Sequence, residues 1–413
     1  RAVVAAESNP GELLEVVATI EGDDLAEQEV WVMAHLCHPK PGACDNASGV
    51  ALGVELFRTI MALIRAGKLA RPRRTLRLLL LPEVSGTQAY MDRHQARLDR
   101  VVAAINLDMV GASYAASGAY CRLVQTPWSR PSFINHLAGY VLEKVSLGSQ
   151  SHIRSAPVRN WLYALAPYDK GSDHDVTLNS IFAIPSVFFF YWPYRFYHTD
   201  LDTPDKLDPA EFERTGLVAG ALALAAADPN AELAAALVNL VGREAVRALT
   251  QLAEGAEPAA VGQNPDRLWA LCECEKGALH SVLQSLPAGE QTPLAPTVAR
   301  LQQDLERVVA REATHPDESS TAVADWVPLR RELWSLNWGR IERQVAGAAA
   351  RLQSWRATTV DFDDKAIAAL NYVNGRRTVN QIARLARGEL GDFPLAQAVD
   401  LFQLLAEAGV VEK

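Results

Sequence analysis

The stretch AHLCHPKPGACDNASGV, residues 34–50, directly follows the start of the hydrophobic segment VWVMAHL (30–36). It carries two histidines, two cysteines and an aspartate, then an Asn-Ala-Ser-Gly run. A loop that only reversed the chain needs the prolines and the glycine but not His35, His38 and Asp45. Imidazole nitrogen and carboxylate oxygen are donors that zinc takes, so the segment reads as one that coordinates an ion. Cys44 reads as a small residue filling a tight turn, and Ser48 as the N-cap of the helix that follows.

Working outward, VVATI, VWVMAHL, TLRLLLLP (75–82), VVAAINLDMV (101–110) and IPSVFFFYW (184–192) predict strands. Several are apolar at consecutive positions, as in central strands covered on both faces. Between the second and third, SGVALGVELFRTIMALIRAGK has apolar residues at helical spacing. Strand, helix and strand in repetition predict an α/β three-layer sandwich with a mostly parallel central sheet over residues 1–228. An alanine- and leucine-rich helical region follows over 229–355, divided by Pro293, Pro296, Pro316 and Pro328 and carrying no chemical motif. Residues 356–413 then read as helix, turn, helix and a short extended end, the pattern of a small winged-helix module. From Asp361 onward it has 6 Lys/Arg against 8 Asp/Glu. That balance favours protein contact or dimerisation over nucleic acid.

At 49% hydrophobic and 22% charged, the 413-residue chain has the composition of an ordinary globular protein. A net charge of −9 argues against broad attraction to nucleic acid or to an anionic membrane. The run GLVAGALALAAA (216–227) is too short for a bilayer and reads as a buried helix, so no membrane span is expected. Five cysteines, an odd number, do not suggest a disulfide framework and point to a reducing, cytoplasmic setting. The chain starts with Arg, so a removed leader stays open. Cys272 and Cys274, two apart on a helix, point away from each other and read as structural. The helical region and acidic module predict a homo-oligomer.

In open parallel sheets, function gathers at the carboxyl ends of the strands. His35 and His38 follow VWVMA, Glu83 follows TLRLLLLP, Asp108 lies late in VVAAINLDMV, and His198 follows IPSVFFFYW after a YRFY connection. Singly, each is an ordinary satisfied polar group. With Asp45 they make three histidines and three carboxylates on one predicted edge, a donor set for a hydrolytic metal site.

The motifs GACDNASGVA, PEVSGTQAY, INLDMVG, GSDHDVTLNSIFAIPSV and YHTDLDTPDKLD occur in that order. The series resembles the two-zinc aminopeptidase family, which includes bacterial leucyl aminopeptidases and has glutaminyl cyclases as relatives. The resemblance covers roughly residues 12–228. HLCHP with a single-glutamate PEVSG is more similar still to an aminopeptidase-like branch carrying a C-terminal winged helix. The resemblance implies one or two zinc ions per chain. His35 and Asp108 hold one, Asp45 bridges, His198 holds the second, and Tyr197 stabilises an oxyanion. Asp173 supports a neighbouring group rather than a metal, with His174 as its partner.

Two departures alter that picture. Family members have Glu-Glu after the third strand, one the base and one a ligand, whereas this chain has Pro82-Glu83-Val84. If Glu83 is the base, the second ion lacks a ligand, and His38, three residues past His35 and seven before Asp45, is the candidate replacement. If Glu83 is the ligand, no base remains. The second departure is Cys37, where the family commonly has an aspartate orienting the first histidine. A thiol accepts hydrogen bonds weakly, so Cys37 either leaves His35 less fixed or itself reaches a metal.

The activity this implies is removal of an N-terminal residue from a peptide or small amide, with water activated through Glu83. The rim of FFFYWPYRFY (188–197), from Trp192 to Phe196, would line the pocket. Two rivals stand beside it: a one-zinc acyltransferase of the glutaminyl cyclase kind, and a catalytically silent binding or assembly protein that keeps the fold.

Overall fold

The computed structural model describes residues 11–150, 157–158, 160–255, 265–312, 326–332, 336–391 and 393–413. Part of the predicted helical region, including Pro316, lies outside these residues.

Seven strands form the central sheet in the order β1-β3-β2-β4-β9-β5-β8. They are β1 (Val16–Ile20), β2 (Leu25–His35), β3 (Arg74–Leu81), β4 (Val101–Leu107), β5 (Tyr120–Val124), β8 (Tyr163–Ala166) and β9 (Ser186–Trp192). β6 (Ser149–Gln150) and β7 (Pro157–Val158) pair with each other outside it. The central strands β3, β2, β4 and β9 run parallel, while β1 is antiparallel to β3 and β5 to β9. Their shared direction brings the carboxyl ends of β2, β3, β4 and β9 to one edge.

Alternation along the strands sorts the side chains to two faces. On one face Val30, Val32, Ala34, Leu78, Leu80, Ile105 and Phe189 join the main core with α1 (Gly49–Arg65), α4 (Phe133–Ser146) and α6 (Pro209–Ala227). On the other, Trp31, Met33, Leu79, Leu81 and Ala104 pack with α2 (Ser85–Arg93) and α5 (His174–Thr177). A one-turn helix α3 (Tyr114–Ser117) precedes β5. The run 216–227 lies in α6, with Val218, Ala219, Leu222, Ala223 and Ala226 buried and Leu217 exposed; the helix start is fixed by Pro209 in the first turn and by Asp208 accepting from Ala210 N–H.

The segment Ala43–Arg65, at 23 residues, is long and apolar enough by length and composition to cross a bilayer, contrary to the sequence expectation. It owes that to the merging of an apolar helix with the turn before it. Here Leu52, Leu56, Phe57 and Ile60 pack into the core, and the turn carries Asp45.

The main core continues past residue 228 into α7 (Ala231–Ala253), α8 (Pro265–Gln284) and α10 (Ala295–Glu312), with the short α9 (Ala288–Gln291) between the last two. A second core joins α11 (Trp338–Gln344), α12 (Ala348–Thr358), α13 (Phe362–Asn371), α14 (Val379–Leu390) and α15 (Leu395–Glu407). Thr378 and Gln381 form a reciprocal capping box at the start of α14. The terminal strand β11 (Val411–Glu412) pairs with β10 (Leu329–Arg330), so its partner comes from well before residue 356. Ala270 of α8 belongs to this second core, while Leu271 and Leu279 of the same helix belong to the first.

Candidate metal centre

His35 is the last residue of β2, and its ring is almost wholly buried. Its Nδ1 meets the Cys37 carbonyl at 3.0 Å, and that bond turns Nε2 towards Asp45 Oδ1 and Asp108 Oδ1, both at 3.1 Å. The backbone of Cys37, not its thiol, thus orients the ring in place of the missing aspartate. The thiol instead accepts the Glu83 N–H at 3.1 Å and lies 4.0 Å from His35 Nδ1.

The second oxygen of Asp45 faces two other histidines, His198 Nε2 at 3.1 Å and His38 Nε2 at 3.4 Å. His38 Nδ1 meets the Lys40 carbonyl at 2.7 Å, the same arrangement as at His35. One carboxylate therefore joins two clusters, His35–Asp45–Asp108 and His38–Asp45–His198, and within each the donor atoms lie within 4.8 Å of one another. A hydrogen bond from one imidazole nitrogen that leaves the other facing the donors is the arrangement of metal-ligating histidines. Three donors per cluster suit a divalent ion that keeps an open position.

The turn that presents Asp45 is held from a distance. Asp202 accepts the N–H of Cys44 on Oδ1 and that of Asp45 on Oδ2, each at 2.9 Å, and the Tyr194 hydroxyl donates to Oδ1 at 2.7 Å. The Asp45–Asn46 peptide bond is cis. Asn46 joins three elements: Nδ2 donates to Leu107 O at 3.0 Å, and Oδ1 accepts from Gly49 N–H and Met109 N–H. Ser48 stands at the N-cap position of α1 as expected, but its side chain makes no cap bond, and Asn46 Oδ1 takes the Gly49 N–H instead. The Ser48 hydroxyl is taken by the Cys44 carbonyl and the Val110 N–H. Gly49 is required here, because a Cβ would lie 2.1 Å from the Leu107 carbonyl oxygen.

Asp108, one residue past β4, accepts on Oδ2 from the Ser172 hydroxyl at 2.8 Å, and Asn106 Nδ2 donates to that hydroxyl at 2.8 Å. Oδ1 is thereby left facing His35. Glu83 follows β3 in a tight γ-turn closed by Ser85 N–H on Glu83 O at 2.5 Å, with Val84 at φ 56°, ψ −59°. A β-branched residue there is strained. Asp173 braces the turn, accepting from Val84 N–H and the Thr87 hydroxyl, both at 2.7 Å. The pairing of Asp173 with His174 is corrected: His174 Nε2 meets Asp169 O, and its ring stacks on Phe188. The backbone N–H of the next turn, nearer and fixed, takes the carboxylate instead.

The electrostatics follow from this crowding. Burial works against a charged His35 ring, but hydrogen bonds to Asp108 and Asp45 outweigh it and push its pKa up to about 12. Burial favours a neutral Asp45, yet His35, His38 and His198 hold it below the usual carboxylate range. For Glu83, burial, seconded by Asp108, Asp173 and Asp45, outweighs the attraction of His35, and its pKa rises to about 7.

Tyr197 stacks on His198 with ring centroids 3.7 Å apart, and burial raises the pKa of its hydroxyl. Of the expected rim, Trp192 packs edge-on against Tyr197, whereas Tyr194 is buried on Asp202. A cleft of about 420 Å³ beside the clusters is lined by His35, Cys37, His38, Pro41 and Val50. Asp202 and Ser172, which fix the donors, were not singled out in the sequence, although both lie within the quoted motifs four residues past His198 and one before Asp173.

Among known proteins, an aminopeptidase from Aneurinibacillus sp. strain AM-1 is 22% identical with a TM-score of 0.40, and the alignment covers 52% of this chain and 48% of that one. A zinc aminopeptidase from Bacillus subtilis is 20% identical with a TM-score of 0.41, covering 52% and 50%. A peptidase described as putative from Clostridium acetobutylicum is 13% identical with a TM-score of 0.37, covering 96% and 60%. This chain thus spans about half the length of the two aminopeptidases. None of the curated proteins is a match. The model of peptidase family M28 matches residues 15–223, just over half of the chain and the whole stretch that bears the two clusters. The chain belongs to peptidase family M28.

Proposed function

We propose that this chain is a zinc-dependent hydrolase that removes an N-terminal residue from a peptide or small amide. The observation that carries the reading is Asp45, one oxygen on each of two three-donor clusters, beside a carboxyl whose pKa is about 7. Zinc bound there supplies a Lewis acid for the substrate carbonyl and lowers the pKa of a water towards ~7. His35, Asp45 and Asp108 would hold one ion, and His38, Asp45 and His198 the other.

The remaining steps belong to the chain. Glu83, poised near neutral pH, takes a proton from the attacking water and returns it to the leaving amine. His38 in the second cluster frees Glu83 from any duty as ligand. Tyr197, kept protonated by its raised pKa, donates to the oxyanion. The cleft beside Val50 takes the side chain of the first residue.

A one-ion acyl transfer of the cyclase kind is favoured by one observation. The first cluster is wholly buried, while His38 and His198 of the second are exposed. Metal content decides between them: about two ions per chain with hydrolysis of aminoacyl amides supports the proposal, one ion with cyclisation supports the second reading. The Asp45→Asn variant should lose both metal and turnover. A purified chain that retains no metal and cleaves none of the amides when zinc is supplied overturns both.

A further inference from the structure

A separate cavity of about 470 Å³ opens where β3 and β4 begin, at the opposite edge of the sheet from the metal centre. Its charged lining is one-sided: Arg74, Arg130 and Arg377 face it, against Asp99 as the sole lining carboxylate among the described residues. Arg74 is already satisfied, donating to Gln28 Oε1 and to the carbonyls of Ala226 and Ser285.

Arg130 is not. Its Nη1 donates to Ser129 O at 3.2 Å, but Nε and Nη2 are buried with no acceptor among the described residues. Those two atoms form the edge with which a guanidinium grips two coplanar oxygens. Ser129, 2% exposed, also has its hydroxyl buried without a partner, and it lines the same cavity. Arg377, from the turn between α13 and α14, stands close enough to Arg130 to add to the effect of burial, which pushes the Arg130 pKa down to about 10. Arg130 in turn depresses Arg330 after burial has done so. The amino end of α4 adds only its field, since Phe133 N–H and Ile134 N–H are taken by the hydroxyls of Ser281 and Ser132. A buried guanidinium that makes no ion pair among the described residues, facing a second cation, is costly unless an anion joins them.

We propose that this cavity binds an oxyanion, a phosphate or carboxylate group on a small molecule, gripped by Arg130 and Arg377 with the Ser129 hydroxyl. Because Nε and Nη2 have no solvent access, uptake requires Arg130 to turn its fork towards the cavity that it lines. The space exceeds an oxyanion alone, and Val101, Phe133 and Pro185 give it an apolar wall. The ligand is therefore an anion with a compact uncharged body. Since Arg377 lies in the turn that joins α13 to α14 and Arg130 in the loop before α4, the bound group ties those helices to the sheet.

The test is thermal melting of the full zinc-loaded chain in inorganic phosphate, sulfate or succinate, with chloride at matched ionic strength as the reference. A saturable rise in melting temperature is expected, with apparent affinity falling about tenfold or more in Arg130→Gln and in Arg377→Gln. Phosphate reaching the metal edge acts equally on wild type and variants, so only the difference between them counts, and it does not depend on hydrolytic activity. If Arg130→Gln fails to fold, Arg130→Lys, which keeps the charge and loses the fork, takes its place. A larger difference between wild type and variants in phosphate than in succinate assigns the group as phosphate, and the reverse as carboxylate. The proposal is overturned by an equal rise in wild type and variants, or by no saturable rise with any of the three anions.

Discussion

The carboxylate of Asp202 accepts the main-chain N–H of Asp45 at 2.9 Å, although 157 residues separate the two in the chain. Its other oxygen takes the Cys44 N–H, so Asp202 fixes the turn that presents Asp45 rather than facing the donors itself. Asp202→Ala leaves two buried amides and the Tyr194 hydroxyl without an acceptor, at a cost of about 1–3 kcal/mol for each unsatisfied group. The expected outcome is a lower melting temperature together with loss of bound zinc. A variant that melts like wild type and keeps its metal would show that the turn holds without this brace.

Ser172 acts on the metal edge through Asp108. Removing its hydroxyl in Ser172→Ala frees Asp108 Oδ2 while leaving every donor of the clusters in place. Loss of a group that orients a ligand typically lowers metal affinity about 10–100-fold. Competition with a chelator measures this, with far-ultraviolet circular dichroism unchanged.

Protons and metal compete at His35. In the metal-free chain its pKa, about 12, lies above the ordinary 6.5. The proton's stabilising effect is thus fully present below 6.5 and is lost progressively as pH rises from there through about 12. An ion must displace that proton, so apparent zinc affinity should climb with pH, about tenfold per unit for each proton released. Zinc titrations between pH 6 and 8 that give a flat profile would contradict the assignment.

Glu83 has a pH dependence of the same sign, in a lower window. Its folded pKa, about 7, lies above the ordinary 4.5, so between those values the unfolded chain releases its proton first. Stability of the metal-free chain therefore falls as pH rises through that window. Glu83→Gln abolishes the dependence, and the gap in melting temperature between variant and wild type should widen from pH 4.5 to 7. The same substitution should lower kcat of the loaded enzyme by about two to four orders of magnitude.

Val84 separates stability from function at the same turn. Its φ of 56° is natural for glycine and strained for valine. Val84→Gly should raise stability by about 1 kcal/mol, yet loosen Glu83 and lower kcat. Chemical denaturation and steady-state kinetics on the same preparation distinguish this from a neutral change.

Much of this edge is legible in the sequence because parallel strands are continuously apolar and their ends are where polar residues collect. VWVMAHL, TLRLLLLP and VVAAINLDMV locate His35, Glu83 and Asp108 for that reason. Strands β5 (YCRLV) and β8 (YALA) are short and mixed in character, and no strand was predicted there. The braces escape notice for a different reason: Asp202, Ser172 and Asn46 act through hydrogen bonds to residues far along the chain, and local pattern carries no trace of such partners. Ser48 illustrates the same limit. Residue type and position suit a cap, but the nearer Cys44 carbonyl claims its hydroxyl.

Helix α8 stands as a party wall, with Leu279 turned to one interior and Ala270 to the other. Its Asp266, fully enclosed, is also anchored by Arg384 and Arg387 from across the partition. Cutting away everything beyond residue 312 would strip one side of that wall and leave an acid without its cations. The helices beyond residue 336 are thus masonry shared with the unit that carries the metal edge, and trimming them away should bring down part of the house.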